Sequence, residues 1–154
     1  MKLYVQKTLI GSVGIAEHEG SITNLFFAKD KLPEGIERAE TEGLKEAFRQ
    51  LDSYLAGSLK AFSLQLSPAG TPFMQAVWRI LSEIPYGTTV SYRDVAVALG
   101  NPLATRAVGM ANHRNPLPPF IPCHRVICSD GTLGGYRGGL ALKKMLHELE
   151  REDG

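Results

Sequence analysis

The chain has 154 residues, 44% of them hydrophobic and 21% charged, with a formal net charge of +1, which is enough to bury a real core and enough length for two small lobes. Its longest apolar runs are far too short to span a bilayer, and no N-terminal stretch combines a basic start, a long apolar core and a small-residue cleavage site. The two cysteines, Cys123 and Cys128, are too few and too close for a disulfide framework, so the sequence reads as a soluble cytoplasmic protein with reduced thiols.

Charge is balanced overall but not along the chain. Residues 79–144 hold eight basic residues against three acidic ones, and six of the eight are arginine. The planar guanidinium fork suits phosphate, so this asymmetry is compatible with a polyanionic partner, although a solvated basic face is the commoner explanation.

The first third alternates like a sheet. Residues 1–9, 12–18 and 21–28 are strand-like runs, and the segment ending in Gly20 joins the second to the third as a hairpin. From Ala39 onward, Leu44, Phe48, Leu51 and Leu55 fall at helical spacing, and Gly57 stops the helix. Residues 63–66 read as a last strand, followed by a linker. A lobe boundary is expected near Ser67 to Gly70, giving an N-terminal α/β lobe over 1–67 and a C-terminal domain over 68–154.

The second half reads as helical. Thr71 and Pro72 form an N-cap and first-turn pair for a helix whose apolar face is Phe73, Val77, Trp78, Leu81 and Ile84. Ser91 followed by Asp94 has the form of a capping box, and Gly100 ends the helix it opens. Asn101 and Pro102 are expected to cap a further helix over 103–113, so that two short helices are separated by a tight turn, as in a helix-turn-helix or an ordinary helical hairpin. In the final helix, residues 140–152, the apolar face is expected to be Leu142, Met145, Leu146 and Leu149, with Glu150 beside it.

Cys123, between Pro122 and the pair His124-Arg125, admits several readings from the residues alone. It could be a small core hydrophobe, as most free cysteines are, but both polar neighbours are suited to favour a thiolate. A zinc site is poorly supplied, because the C-H-x3-C cluster gives at most three ligands; a zinc deaminase would need an H-x-E and a P-C-x-x-C that are absent. A Cys-His hydrolase is a further possibility, although adjacent residues on extended backbone point to opposite sides.

The segment "IPCHRVI", preceded by "NPLPPF" and followed by "GGYRGGLALKKMLHELE", resembles the active-site segment of the O6-alkylguanine-DNA alkyltransferases, the methylated-DNA-protein-cysteine S-methyltransferases. The resemblance extends upstream without gaps through "FMQAVWRILSEIPYGTTVSYRDVAVALGNPLATRAVGMANHRNP", about half the chain. It implies a ribonuclease-H-like N-terminal lobe joined to a mainly helical C-terminal domain with a winged helix-turn-helix, hence an α/β protein. It also implies direct, irreversible repair of O6-alkylguanine in double-stranded DNA by a monomer, with O4-alkylthymine a second candidate substrate and no cofactor. Some members hold zinc in the N-terminal lobe through cysteines; this lobe has none, so no metal is expected.

Carried over residue by residue, the resemblance makes Cys123 the alkyl acceptor, with His124 relaying the thiol proton through a water and Glu150 orienting His124. Tyr92 would donate to guanine N3, the backbone N–H of Arg137 would approach O6, and the carbonyls of Cys123 and Val126 would accept from the exocyclic amine. Tyr136 would wall the pocket, with Gly134, Gly135, Gly138 and Gly139 letting backbone approach the base. Asn115 would hydrogen-bond across the turn between the recognition helix and the cysteine loop. That helix would enter the minor groove, about 6 Å wide, through the small residues Ala104, Ala107 and Gly109, while Arg106 fills the space left by a nucleotide rotated out of the stack. A rival from another class is an alkyltransferase-like protein that recognises the lesion without accepting the alkyl group; such proteins replace the cysteine, which this chain keeps.

Overall fold

The computed structural model describes residues 1–152 and divides into two compact units, Met1–Ala69 and Gly70–Gly154; the last two residues of the expected C-terminal domain lie outside the described residues.

The first unit is a four-stranded sheet covered by one helix. Strands β1 (Lys2–Thr8), β2 (Gly11–His18) and β3 (Ser21–Phe27) form an antiparallel meander, and β4 (Glu37–Arg38) pairs parallel to β1, giving the order β3-β2-β1-β4. The β2–β3 hairpin turns on Glu19 and Gly20, both with positive φ (49° and 86°), the backbone that a two-residue type I′ turn requires. Helix α1 (Glu42–Leu55) is capped by the Thr41 hydroxyl, which accepts from Leu44 N. Its Leu44, Ala47, Phe48 and Leu51 are buried, as are Leu3, Val13, Ile15 and Leu25 of the sheet, and Tyr4 meets Phe48 edge to face with centroids 6.0 Å apart.

Two details of this unit differ from expectation. Residues 63–66 contribute only an isolated parallel bridge, Ile22 to Leu66, instead of a strand. The fourth strand is the exposed pair Glu37–Arg38, whose charged side chains carry no strand signal.

The second unit begins with helix α2 (Pro72–Ser82), capped by Thr71 with Pro72 in its first turn. The short strand β5 (Val90–Ser91) runs into helix α3 (Tyr92–Ala98), where Ser91 and Asp94 form a reciprocal capping box. Helix α4 is Thr105–His113, a 3₁₀ turn spans Cys123–Arg125, strand β6 is Val126–Ile127 and helix α5 is Leu140–Glu152. The apolar core is built from Val77, Trp78, Leu81, Val95, Val108 and Leu117 among others. Helix α4 packs on both α2 and α3, and the Trp78 indole donates to the Ala111 carbonyl at 2.9 Å, tying α2 to α4.

Here too the sequence reading needs correction. Helix α4 starts at Thr105, with Ala104 as an N-cap that makes no side-chain bond. Asn101 and Pro102 instead lie in a turn closed by Ala104 N donating to Asn101 O at 3.0 Å, with proline at the position whose fixed φ suits such a turn. On α5 the buried face is Lys143, Leu146 and Glu150, whereas Met145 is 37% exposed. Two polar side chains are buried there because partners on neighbouring backbone and side chains saturate them.

Candidate active site: a buried thiol, a buried histidine and a lysine clasp

Parallel pairing of β5 with β6, Val90 opposite Val126 and Ser91 opposite Ile127, assembles the site. It puts Tyr92, the first residue of α3, beside Cys128 at the end of β6. Cys123 and His124 immediately precede β6. They sit on a 3₁₀ turn, so the opposite-facing geometry expected of extended backbone does not apply.

Cys123 is 4% exposed. Burial pushes its thiol up to about 11, opposed by the nearby Asn115 amide and by the charges of Lys143 and Arg137. Loss of its proton therefore needs a base at hand.

His124 is fully buried, with Nε2 2.7 Å from Glu150 Oε2. A carboxylate only accepts, so the ring carries its proton on Nε2 and Nδ1 is an acceptor. Burial lowers the imidazole pKa below its ordinary value, with Glu150 opposing that effect, so the neutral, proton-accepting ring is favoured.

Glu150 is itself held from several sides. Arg125 donates through Nε to Oε1 at 2.9 Å and through Nη2 to Oε2 at 3.0 Å, and Gly87 N donates to Oε1 at 3.0 Å. The Arg125 guanidinium also reaches the Ile84 carbonyl at 2.7 Å and lies 5.7 Å from the Tyr86 ring centroid. Arg125, expected from sequence to favour the thiolate, is thus spent on Glu150, and the cations that act on Cys123 are Lys143 and Arg137.

The remaining residues expected at the site fall around this group. Asn115, 1% exposed, donates from Nδ2 to Ile121 O at 2.8 Å and accepts from Leu117 N at 2.9 Å, fixing the backbone just before Cys123. Burial raises the Tyr92 phenol pKa, as do the two cysteines, while the Asn112 amide lowers it. Tyr136 is buried and stands edge-on to His124 with centroids 6.5 Å apart. Gly134 has φ +72°, and a Cβ there would lie 2.8 Å from the Tyr92 hydroxyl, so this position needs glycine both for its backbone and for its neighbour.

The Cys123 carbonyl accepts from Val126 N and, at 3.4 Å, from Asn112 Nδ2. The Val126 carbonyl accepts from Lys143 Nζ at 2.8 Å. Arg137, expected to act through backbone alone, also directs its charge at the thiol.

A cavity of about 500 Å³ opens where α3 meets α4, lined by Tyr92, Arg106, Gly109, Met110, His113 and Arg114. It brings the phenol of the cysteine site and the exposed arginine of α4 onto one surface. Of the other small residues expected on this helix, Ala107 is exposed and Ala104 half-buried.

Sequence reasoning missed Lys143, Asn112 and His147, whose Nε2 lies 2.5 Å from the His124 carbonyl oxygen. Lys143 and His147 are four apart on a helix that already presents Glu150, so the i, i+4, i+7 spacing was the available signal. Among the described residues no group of three or more His, Cys, Asp and Glu is arranged to hold a metal ion, and no helix is long and apolar enough to cross a membrane.

Residues 1–68 match the family described as the ribonuclease-like domain of 6-O-methylguanine DNA methyltransferase, and residues 72–152 match its DNA binding domain. The methylated-DNA–protein-cysteine methyltransferase of Methanosarcina barkeri is 47% identical over 94% of this chain and 93% of its own length. The constitutive enzyme of that name from Bacillus subtilis is also 47% identical, over 94% and 92%. A crystal structure of Mycobacterium tuberculosis OGT in complex with DNA superposes with a TM-score of 0.93 at 39% identity, covering 99% of this chain and 94% of that one. The resemblance carried by the cysteine segment therefore extends over both units, and the chain belongs to the O6-alkylguanine-DNA alkyltransferase family, the methylated-DNA–protein-cysteine methyltransferases.

Proposed function

We propose that this protein repairs DNA by taking the alkyl group of O6-alkylguanine irreversibly onto Cys123. The observation that carries the assignment of the acceptor is the arrangement of a buried thiol next to a neutral, Glu150-anchored histidine. In this reaction a water bridges Cys123 to His124 Nδ1 and passes on the thiol proton. The thiolate attacks the alkyl carbon in line with the departing oxygen; the S–C bond forms as the C–O6 bond breaks, and guanine leaves with the electron pair and is reprotonated from the relay. The product is a thioether with no easy leaving reaction, so each molecule acts once.

The base must leave the stack to reach a thiol this buried. Helix α4 enters the minor groove of double-stranded DNA with Arg106 in the vacated space, and its small residues permit close approach. Tyr92 donates to guanine N3, the Arg137 N–H to O6, and the carbonyls of Cys123 and Val126 take the exocyclic amine. The Val126 carbonyl has a second lone pair beside its bond to Lys143. The protein acts as a cytoplasmic monomer without a cofactor. Intact-mass measurement after incubation with a duplex containing O6-methylguanine tests the assignment: one methyl group is gained per molecule, on the peptide containing Cys123, whereas a label on Cys128 or catalytic turnover without a label overturns it.

A further inference from the structure

Lysine is among the residues least often buried, yet Lys143 is fully buried. Its ammonium group has three donors, and the structure supplies an acceptor for each: the carbonyls of Val126 at 2.8 Å and Gly135 at 3.2 Å, and that of Leu133. All are main-chain groups, drawn from β6 and from the loop that passes Tyr92 at Gly134. Three carbonyl dipoles converging on one point repel one another unless a cation sits among them, so the lysine and this backbone arrangement require each other. An apolar residue of similar length would fill the same core space without the cost of desolvating a charge, so packing alone does not account for a lysine here.

The consequence falls on one atom. Val126 follows directly on the Cys123 turn, and its N–H bonds back to the Cys123 carbonyl, so the residue is held through its N–H by the turn and through its carbonyl by Lys143. We propose that Lys143 is a positioning residue for guanine selectivity: its ammonium group fixes the orientation of the Val126 carbonyl, and with it the backbone wall at 133–135, so that the exocyclic 2-amino group of the extruded base is recognised. This deepens the proposed function and rests on the reading that the Val126 carbonyl accepts from that amine. The charge also lies close enough to Cys123 to favour its thiolate, which links base recognition and nucleophile to one side chain.

The test compares duplexes containing O6-methylguanine with otherwise identical duplexes containing O6-methylhypoxanthine, which lacks only the 2-amino group, under single-turnover conditions. The native protein is expected to prefer the guanine lesion by about threefold to tenfold, the worth of one neutral hydrogen bond. In Lys143→Met that ratio should fall to near one, with methyl transfer slowed on both substrates. Lys143→Arg keeps the charge, but its flat fork cannot send three donors toward one cluster of carbonyls; it should recover part of the rate while the ratio stays low. A folded variant of either kind that keeps the native ratio overturns the proposal while leaving the alkyl-transfer reading intact. A native protein with no preference between the duplexes overturns both the carbonyl reading and the proposal.

One measurement leaves Lys143 in place and so does not depend on how the variants fold. In Cys123→Ser protein bound to each duplex, the ¹⁵N resonance of the Lys143 ammonium should move more with the guanine lesion, because a second donor arrives on the same carbonyl. Equal shifts with both duplexes overturn the proposal.

Discussion

Arg125 and Glu150 meet side by side, Nε to Oε1 at 2.9 Å and Nη2 to Oε2 at 3.0 Å, and the second of these oxygens is also the one that holds His124 Nε2 at 2.7 Å. The arginine therefore anchors the carboxylate that holds His124, the relay of the proposed reaction. Breaking a buried ion pair from one side leaves an uncompensated charge and typically costs about 3 to 5 kcal/mol. Arg125→Leu should lose stability in that range by urea denaturation, and its surviving folded fraction should transfer methyl groups more slowly, because the Glu150 carboxylate is no longer fixed under the histidine. Glu150→Gln should slow transfer as well, since the histidine loses its charged acceptor. An Arg125→Leu protein of native stability and rate would show that the pair is incidental to the relay.

Much of this architecture was legible in the sequence because local chemistry and fold agreed. Thr71 and the Ser91–Asp94 pair each cap a helix, Gly57 follows the end of α1, and Glu19-Gly20 makes the hairpin turn. Most of the errors share one physical origin, which is that tertiary partners were invisible; the Asn101–Pro102 turn is the exception, a local signal that suits a turn as well as a cap. The strand at Glu37–Arg38 exists only because β1 offers it a parallel edge. Helix α5 looked like an apolar face flanked by charges, yet it buries Lys143 and Glu150, and the carbonyls of β6 and the loop after it, with the guanidinium of Arg125 and the N–H groups beside it, make that tolerable. Cys123 and His124 were reconciled by a 3₁₀ turn that no periodicity announces.

Gly134 and Gly131 offer a controlled comparison. Both have positive φ, +72° and +89°, but a Cβ at Gly134 would lie 2.8 Å from the Tyr92 hydroxyl, whereas one at Gly131 would meet nothing within 4 Å. Either alanine carries the left-handed backbone cost of about 1 to 2 kcal/mol. Only Gly134→Ala should also displace the phenol, so it should slow transfer to Cys123 well beyond any effect of Gly131→Ala when both are assayed at matched folded concentrations. Equal rates would detach Tyr92 from the reaction.

Arg106 is exposed on α4 and lines the same cavity as Tyr92. If it occupies the space left by the extruded nucleotide, only a duplex substrate calls on it. Arg106→Ala should therefore slow repair of O6-methylguanine in duplex DNA by at least about tenfold, as for a group worth 1.4 kcal/mol or more, and leave reaction with the free base O6-benzylguanine nearly unchanged. Equal slowing of both reactions would assign Arg106 to the thiol site. DNA affinity should also fall with rising salt as phosphate contacts release counterions.

Methylation of Cys123 should destabilise the protein at neutral pH and do so progressively less at high pH. Near pH 7 the unmodified thiol is protonated whether the protein is folded or not, so the difference is steric: an added methyl at Cys123, a residue only 4% exposed, should cost about 1 to 3 kcal/mol and lower the melting temperature. At high pH the linkage enters. Burial pushes the folded thiol up to about 11 from an ordinary value of about 9.0, so between those values the unfolded chain has released its proton and the folded one has not. The native state then binds more protons than the unfolded state, and stability falls as pH rises. Two pH units at about 1.4 kcal/mol each amount to a loss of order 3 kcal/mol for the unmodified protein, which S-methyl-Cys123 cannot suffer because it does not ionise. The stability gap between the two forms should therefore shrink from pH 9 to pH 11 and approach zero or reverse, while the ionisations common to both cancel in the difference. Denaturation of unmodified and methylated protein across that range is the measurement, and a gap that stays constant would mean that Cys123 is not desolvated in the folded protein.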